Sequence, residues 1–478
     1  MAGGTVKPQG PNTADSESAS THENQTALLI SQLTDIWDGS PNKRQQDIIT
    51  SCRLILLDSV AVIINGLFSQ GVRDLEEQFG TIAAGDLWFP GLKQRQSLHG
   101  LISVLSAAAT WDELIEGQAK AHGRPALHTV PLCISLGISQ QLNLGQILLA
   151  MLHGYEVGAR FGEAYAVPKG EHVDGTWGTI AATVSACTLL KATPQQTTGA
   201  VNAALCQMSR SLFAPVKAGS KSRLLYSGLA ASRGLDLAIA SIADFHGPKA
   251  LIDLSVDQSK RWPHDLKLDI RDPLSIQQSY IKLLPGARHL HYCMEAALAW
   301  RREKGYETGE YLTEQELPRS IHIETYEEAT KYCGLPKPTN RIQAQFSLQY
   351  ATCITLLTGE TSGKIFCDDN LSHLSVQRLL ERTQLSSVNS KPGRWAEITI
   401  FENSGTSSTT ASSNIKGDPD NPLTQNDHIN KAMAIHASEG GLLYLPDYFE
   451  EIHAAFHRCG VQYVIGYAAD FFLELRNQ

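Results

Sequence analysis

Four short segments of the chain combine histidine, lysine or arginine with glycine and other small residues. They are AHGRPALHTVP at 121–131, EHVDGTWGTIAAT at 171–183, KAGSKSRLLYSGLAASRG at 217–234 and YIKLLPGARHLH at 280–291. A histidine with a near-neutral pKa, or a lysine whose pKa burial has lowered, can take a proton from the carbon next to a carboxylate. An arginine can then hold the developing enolate. The pattern favours acid/base chemistry on an anionic small molecule.

The second segment places His172 just before Gly175-Thr-Trp-Gly178, which reads as the start of a helix. The free N–H groups and the positive dipole end of a helix start suit a carboxylate, so we expect a ligand carboxylate there. The basic residues of the other segments form two clusters, Lys217, Lys221 and Arg223 in one and Lys282, Arg288 and His289 in the other. If they are not binding groups, they are solvated surface charges.

Other kinds of chemistry have weaker support in the sequence. His289 and His291, with His122 and His128, could supply imidazoles to a metal, but no carboxylate set at ligand spacing accompanies them. No GxSxG nucleophile motif and no nucleotide-binding glycine pattern occurs. We therefore expect an enzyme that uses neither a metal nor another cofactor, with a non-catalytic binding protein as the alternative.

Composition narrows the possible partners. Lysine and arginine number 40 against 49 aspartate and glutamate, a formal net charge of −9, so the chain lacks the global basic field that holds nucleic acid. No apolar run approaches the ~18 residues of a membrane span. The nine cysteines form no CxxC pair, which favours buried, reduced thiols in a cytoplasmic protein. Residues 1–25 are polar and are expected to form a disordered tail.

The hydrophobic pattern predicts a mainly α protein. Helical patterns follow one another from Thr26 to about Gly247, including 46–67, 146–156, 179–190, 197–213 and 228–245. Strands are predicted at 318–326 and 395–401, with helices between them at 343–357 and 374–383. The Ser- and Thr-rich stretch 404–414 is predicted to be a loop, and GDPDNPLT at 417–424 a turn before a helix.

The four basic segments, in this order, resemble the MmgE/PrpD family, which includes 2-methylcitrate dehydratase, cis-aconitate decarboxylase and iminodisuccinate epimerase. The resemblance runs from about Thr26 to Gln478 and also takes in GYEVGARFG at 154–162, IETYEEA at 323–329, QAQFSLQYA at 343–351 and the GDPDNPLT turn. It implies a large all-α domain of residues 26–275 and 416–478, an inserted α+β lid of 276–415, and a homodimer.

The resemblance also implies roles for individual residues. His172, Lys282 and Tyr326 are expected to be catalytic, with His172 and Lys282 meeting only when the lid closes over a carboxylate-bearing substrate. Seven further residues are expected to bind that substrate: Arg223, Arg124, His128, Gln118, Lys217, Arg288 and His289.

The chain departs from the decarboxylase and dehydratase pattern at several of these positions. Ile115, Gly117 and Arg124 stand where the decarboxylase-like motif has aspartate, threonine and histidine, and Arg223 replaces a lysine. These departures favour a cofactor-free isomerase or epimerase over a lyase of the dehydratase or decarboxylase type. A protein that binds an anion without converting it is the third hypothesis.

Overall fold

Helices form most of the first half of the chain. The structure, a computed structural model, describes residues 28–36, 42–248, 268–388 and 391–438. After a helical segment at 28–35, nine α-helices follow: α1 Lys43–Leu67, α2 Gln70–Ile82, α3 Leu98–Thr110, α4 Pro125–Ser139, α5 Leu144–Ala164, α6 Gly178–Leu189, α7 Pro194–Cys206, α8 Ala214–Ala218 and α9 Tyr226–Ile242. The prediction of consecutive helices is confirmed, although the helix predicted for 197–213 ends at Cys206.

Local signals in the sequence explain where several of these helices begin and how closely they pack. Asn42, Asn143 and Thr193 each form a capping box at the start of α1, α5 and α7. Gly154 in α5 lies against Ser185 and the Ala181 carbonyl of α6, so a Cβ there would collide with both. The small residues of these two helices therefore allow their backbones to approach.

The second half of the chain forms a small α+β unit. Its helices are α10 Arg288–Lys304, α11 Glu327–Cys333, α12 Arg341–Ala344, α13 Leu348–Thr358, α14 Asp368–Ser372 and α15 Leu374–Glu381. Its strands are β1 Ser320–Thr325, β2 Thr383–Ser387, β3 Ala396–Phe401 and β4 Ser407–Ser412, in the sheet order β2-β1-β3-β4. β1 is parallel to β2 and antiparallel to β3, and β4 is antiparallel to β3.

Both predicted strands are confirmed, because their alternating apolar residues form one buried face of the sheet, with Ile321 and Ile323 in β1 and Ile398 and Ile400 in β3. The loop predicted for 404–414 is wrong, since most of it is β4. Its serines and threonines pair with β3, and the buried Thr410 donates to the Ala296 carbonyl.

Two other features of this unit differ from the sequence predictions. β2 was not predicted, and it takes up the last residue of the helix expected at 374–383. The helix expected at 343–357 is divided into α12 and α13, because Ser347 caps the second helix and accepts from the Tyr350 amide.

The chain has two main hydrophobic cores. The first core consists of buried residues between Leu29 and Ile281, together with Ile435. The second consists of buried residues between Leu284 and Ile415, together with Phe213 and Val216. The chain crosses from the first core to the second between Ile281 and Leu284 and returns after Ile415. The two crossings are hydrogen-bonded to each other, since the Ile281 amide donates to the Gly417 carbonyl over 2.8 Å. Lys282 therefore lies where the two cores meet.

The last described helix, α16 Gln425–Ser438, returns to the helical unit and packs against α1. The predicted turn before it is confirmed. Lys431 of α16 forms an ion pair with Asp58 of α1, and the side chains of both are almost fully buried, 4% and 0% exposed. The predicted N-terminal tail and the segment 439–478 lie outside the described residues.

Lys431→Ala should destabilise the protein strongly, because it leaves the Asp58 carboxylate buried without its counter-ion. Removing one partner of a buried pair costs about 3–5 kcal/mol, which urea unfolding would measure. Arg378→Ala is the matched control, since its pair with Glu314 is 49% and 60% exposed and such a pair contributes about 1 kcal/mol or less. Equal losses in the two variants would contradict the assignment of Lys431 as the anchor of α16.

Candidate active site

A cavity of about 360 Å3 lies beside the crossing between the two cores, a volume suited to a small ligand. Residues of both halves of the chain line it. Its charged and polar lining consists of Glu113, Gln118, His122, Arg124, Tyr165, Glu171, His172, Asp174, Tyr280, Lys282, Arg288, His289, Glu328, Tyr332 and Arg394. Six of the ten residues predicted for the site are in this lining.

Glu113 is the centre of the buried charges. Its carboxylate accepts hydrogen bonds from Arg124 Nη1 at 2.9 Å and from Arg223 Nη2 at 2.5 Å. The Lys282 Nζ lies 3.7 Å from its Oε2. Burial would raise the pKa of Glu113, but Arg124, Arg223 and Lys282 overcome that effect and lower it to about 2. Its backbone is in the left-handed region, with φ of 55°, a conformation that costs a non-glycine residue about 1–2 kcal/mol. The two arginines and Lys282 hold the residue in place despite that cost.

Asp174 is the second carboxylate of the site and links the arginines to His172. Arg124 Nη2 donates a hydrogen bond to its Oδ2. Arg223 Nη2 and His172 Nδ1 each lie 3.7 Å from the same oxygen. Burial opposes ionisation of Asp174, but Arg124 and then His172 keep its pKa far below the usual range. Gly175 follows with φ of 87°, which lets the chain turn sharply from this carboxylate into α6.

Five side chains thus form a continuous series, Lys282, Glu113, Arg124, Asp174 and His172, which we call the ion chain. Arg223 contacts both of its carboxylates. Two carboxylates face two guanidiniums, so the fixed charges of this group balance without a charge on Lys282 or His172.

Lys282 is held by two backbone carbonyls. Its Nζ donates to the Glu113 carbonyl at 2.5 Å and to the Gly286 carbonyl at 3.4 Å. Burial lowers the pKa of this amine; Glu113 raises it and Arg124 lowers it again, and the result is about 7. A neutral amine has two N–H groups, so these two carbonyls leave its lone pair available. Lys282 can therefore accept a proton near neutral pH.

His172 is a neutral imidazole with a defined tautomer. The Asp174 amide donates to His172 Nδ1 at 3.1 Å, so the ring proton is on Nε2. Burial is the main cause that lowers the pKa of His172 to about 4. The ring stacks on Phe213, with centroids 5.7 Å apart. His172 therefore offers the cavity a hydrogen-bond donor and is a poor base at Nε2.

Three amides just before α6 are engaged within the protein. The Gly175 amide donates to His128 Nε2, and the Thr176 amide donates to the Val173 carbonyl. With the Asp174 amide on His172, these groups have no free N–H for a ligand. The expectation of a ligand carboxylate at this helix start stays a prediction, which would rest on the amides that follow Thr176.

Four residues expected at the site do not belong to the cavity lining, Arg223, His128, Tyr326 and Lys217. Arg223 lies behind the cavity, where it binds Glu113 and stacks on Phe346. His128 uses both nitrogens internally, on the Arg124 carbonyl and the Gly175 amide. Tyr326 is 2.6 Å from His289 Nδ1 and positions that ring, whereas Lys217 is exposed.

Three residues with clear roles here were not singled out from the sequence, Glu113, Asp174 and Arg394. The two carboxylates pair with arginines up to 110 residues away, which no local pattern indicates. Arg394 lies in a basic, glycine-containing stretch, KPGRW, of the same kind as the other segments, so that signal was present. Gln118 lines the cavity, and its Oε1 accepts from the Lys120 amide of its own turn.

Within the described ranges, no three histidine, cysteine, aspartate or glutamate side chains are placed to hold a metal ion. The expectation of a metal-free and cofactor-free reaction stays a prediction. No helix of the described chain combines the length and the apolar character needed to span a membrane. The cysteines among these residues are free thiols, and most are buried.

Comparison with known proteins agrees with this architecture. The MmgE/PrpD N-terminal domain matches residues 36–256, and the MmgE/PrpD C-terminal domain matches residues 285–439. The chain is also 27% identical over 306 residues to cis-aconitate decarboxylase of Mus musculus, a match that covers 60% of this chain and 61% of that protein. With both domains matched in order over most of its length, the chain belongs to the MmgE/PrpD family.

Proposed function

We propose that the protein is a cofactor-free lyase that acts on a small carboxylate-bearing substrate, with Lys282 moving the proton and His172 stabilising negative charge. The observation that carries this proposal is the position of Lys282, a buried amine with a pKa of about 7 in the lining of a ligand-sized cavity. Such an amine is half neutral at pH 7, which suits a general base.

The first step is removal of a proton from the carbon next to a carboxylate. The C–H bond breaks, the proton passes to Lys282 Nζ, and the electron pair is delocalised into the carboxylate as an enolate. A neutral imidazole can stabilise such a charge by donating from Nε2, as His172 is arranged to do. Collapse of the enolate then forms a carbon–carbon double bond and breaks the bond to a hydroxyl group, which takes the proton from the Lys282 ammonium and leaves as water. In a decarboxylation, loss of CO2 comes first and the Lys282 ammonium protonates the resulting carbanion.

The tautomer of His172 favours a lyase over a two-base epimerase. An epimerase needs a second group that delivers a proton to the opposite face of the carbon. Neutral His172 is a poor acid. With a pKa of about 4, its imidazolium form is scarce at neutral pH. The similarity to a decarboxylase also supports a lyase.

An isomerase is the second candidate. Its support comes from the residues that replace the decarboxylase-like motif, Ile115, Gly117 and Arg124, and from Arg223. One amine could take a proton from one carbon and return it to the next, so a one-base isomerase is compatible with Lys282.

The α+β unit is a candidate lid, because it supplies Arg288, His289 and Arg394 to the cavity and is joined to the helical unit by two adjacent crossings. Lys282 lies on one crossing and donates to the Glu113 carbonyl of the helical unit and to the Gly286 carbonyl just before α10, so it contacts both units. A homodimer and a cytoplasmic location remain predictions from the sequence, and sedimentation would test the dimer.

Incubation of the protein with di- and tricarboxylates and keto acids in D2O separates the candidate reactions. NMR and mass spectrometry should show loss of water or CO2 from one substrate. The rate of water loss should rise with pH through about 7, because only the neutral amine takes the proton, whereas the rate of CO2 loss should fall, because the Lys282 ammonium supplies the proton. Lys282→Ala should lower either rate ~10²-fold or more. Lys337→Ala is the control, since that side chain is 59% exposed and pairs with Glu381.

Deuterium at the α-carbon of recovered, otherwise intact substrate would identify an isomerase instead. No reaction with any compound would favour the binding protein. A Lys282→Ala variant with normal turnover would remove the proposed base.

Replacement of His172 tests whether it acts as a hydrogen-bond donor. His172→Ala should lower kcat about 10²-fold, whereas His172→Gln should recover at least about tenfold of that loss, because an amide N–H can replace Nε2–H. The change of the rate near pH 7 should persist in both variants, because it follows the titration of Lys282. A glutamine variant as slow as the alanine variant, or loss of the pH dependence, would mean that His172 exchanges the proton itself. His322→Ala, in β1 and outside the cavity lining, is the matched control.

A further inference from the structure

Tyr280 brings to the cavity a hydroxyl group that no described residue binds. The residue is 9% exposed, and its Oη is not one of the fully buried polar atoms that lack a partner, so it has accessible surface. The buried tyrosines Tyr155, Tyr292 and Tyr326 instead form hydrogen bonds with protein groups. Buried tyrosine hydroxyls usually have such a partner. The Tyr280 hydroxyl is therefore a polar group whose partner is to be sought in a ligand of the cavity.

Tyr280 lies two residues before Lys282 on the crossing between the two cores. Ile281, between them, belongs to the helical core, whereas Tyr280 and Lys282 both line the cavity. This alternation is that of an extended segment, in which every second side chain projects to the same side. Tyr280 and Gly117 exchange two backbone hydrogen bonds, of 2.8 and 3.0 Å, which fix the segment in place. The hydroxyl and the amine therefore face a ligand from the same segment of chain.

Gly117 provides the space that the Tyr280 hydroxyl occupies. A Cβ at position 117 would lie 2.2 Å from Tyr280 Oη and 2.3 Å from Cζ, the ring carbon that bears it. No larger residue fits there unless the tyrosine moves. Position 117 is also one at which the chain departs from the decarboxylase-like pattern. The departure makes room for a hydroxyl group from the neighbouring segment.

The neighbours of Tyr280 favour a neutral phenol that donates a hydrogen bond. Burial raises the pKa of the Tyr280 hydroxyl and Glu116 adds to that effect, while the charges of Arg288, Arg394 and Arg124 oppose it without reversing it. The hydroxyl therefore keeps its proton at neutral pH. The Arg288 guanidinium lies over the face of the ring, 3.7 Å from its centroid, and this cation–π contact holds the ring in position.

We propose that Tyr280 is a further catalytic residue, whose hydroxyl donates a hydrogen bond to the substrate hydroxyl that leaves as water. This inference rests on the proposed function. The carbon–oxygen bond breaks with its electron pair on the oxygen, and the Lys282 ammonium gives that oxygen its proton. Tyr280 keeps its own proton and stabilises the negative charge that develops on the leaving oxygen. His172 acts on the enolate, so the two donors serve different oxygens of the substrate.

Tyr280→Phe tests this role in catalysis, because it removes the hydroxyl and keeps the ring that Arg288 covers. With an acid that loses water, the variant should have a kcat lowered ~10²-fold, the effect of one donor lost from a charged transition state. The rise of the rate with pH through about 7 should persist, because Lys282 still titrates. Tyr311→Phe, 50% exposed and outside the cavity lining, is the matched control and should react normally. Normal water loss in Tyr280→Phe, or CO2 loss as the sole reaction, would overturn the proposal.

Probe pairs that differ in one hydroxyl test the hydrogen bond without catalysis. Malate and succinate form one pair, and citrate and tricarballylate form another. Calorimetry in Lys282→Met, which lacks the proposed base, measures binding without turnover. Adding Tyr280→Phe should weaken the hydroxy acid of a pair ~3- to 10-fold, the range for a neutral hydrogen bond, and its partner less than about twofold. Gly117→Ala, whose Cβ displaces the hydroxyl, should cause the same selective loss.

The binding results separate this inference from the proposed function. If no acid is turned over but Tyr280→Phe still weakens only the hydroxy acids, the proposed function fails and the hydrogen bond stands. If an acid loses water at a rate that requires Lys282 but both members of each pair are weakened equally, the proposed function stands and the role of Tyr280 fails. Absence of both turnover and binding with all four acids would overturn the two proposals together.

Discussion

The structure depends on how two buried carboxylates are neutralised. Glu113 and Asp174 are each at most 5% exposed, and ionised groups at such depth are costly unless cations pair with them. Arg124 and Arg223 supply those cations and balance the two negative charges. The balance has a chemical consequence, because it leaves no net negative charge to keep Lys282 protonated. Burial can then lower the pKa of Lys282 to about 7, so that a large fraction of the amine is in its neutral, basic form at neutral pH.

The fold serves this arrangement by bringing together segments that are distant in the chain. Glu113 follows α3, Arg124 caps α4, Asp174 precedes α6, and Lys282 lies on the crossing between the two cores. His128 joins two of these segments, because it binds the Arg124 carbonyl and the Gly175 amide at once. The close packing of the small residues in α5 and α6 fixes the helix that follows Asp174. The helical unit therefore positions Glu113, Arg124, Asp174 and His172, while the α+β unit contributes Arg288, His289 and Arg394 to the cavity lining.

Sequence reasoning found the elements and many of the groups, but it did not find how the charges combine. The hydrophobic pattern predicted α1, α5 and α9, and strand alternation predicted β1 and β3, whose apolar residues form one buried face of the sheet. β4 was predicted as a loop, since its serines and threonines show no apolar alternation and the pairing with β3 defines it. His172 and Lys282 were identified as cavity residues through their motifs. Arg223 was expected to bind substrate, because its role as partner of Glu113 depends on a contact across 110 residues.

The central claim is that Lys282 titrates near neutral pH, because burial lowers the pKa of its amine and the charges around it are already balanced. Amine acylation followed by mass spectrometry, over a series of pH values, measures the titration of this one side chain. The account predicts half-maximal reactivity of Lys282 at about pH 7, and a lower midpoint in Glu113→Gln, because Glu113 raises the pKa of the amine. A midpoint at about 10.4, the ordinary value for lysine, would contradict the account, as would a midpoint that Glu113→Gln raises.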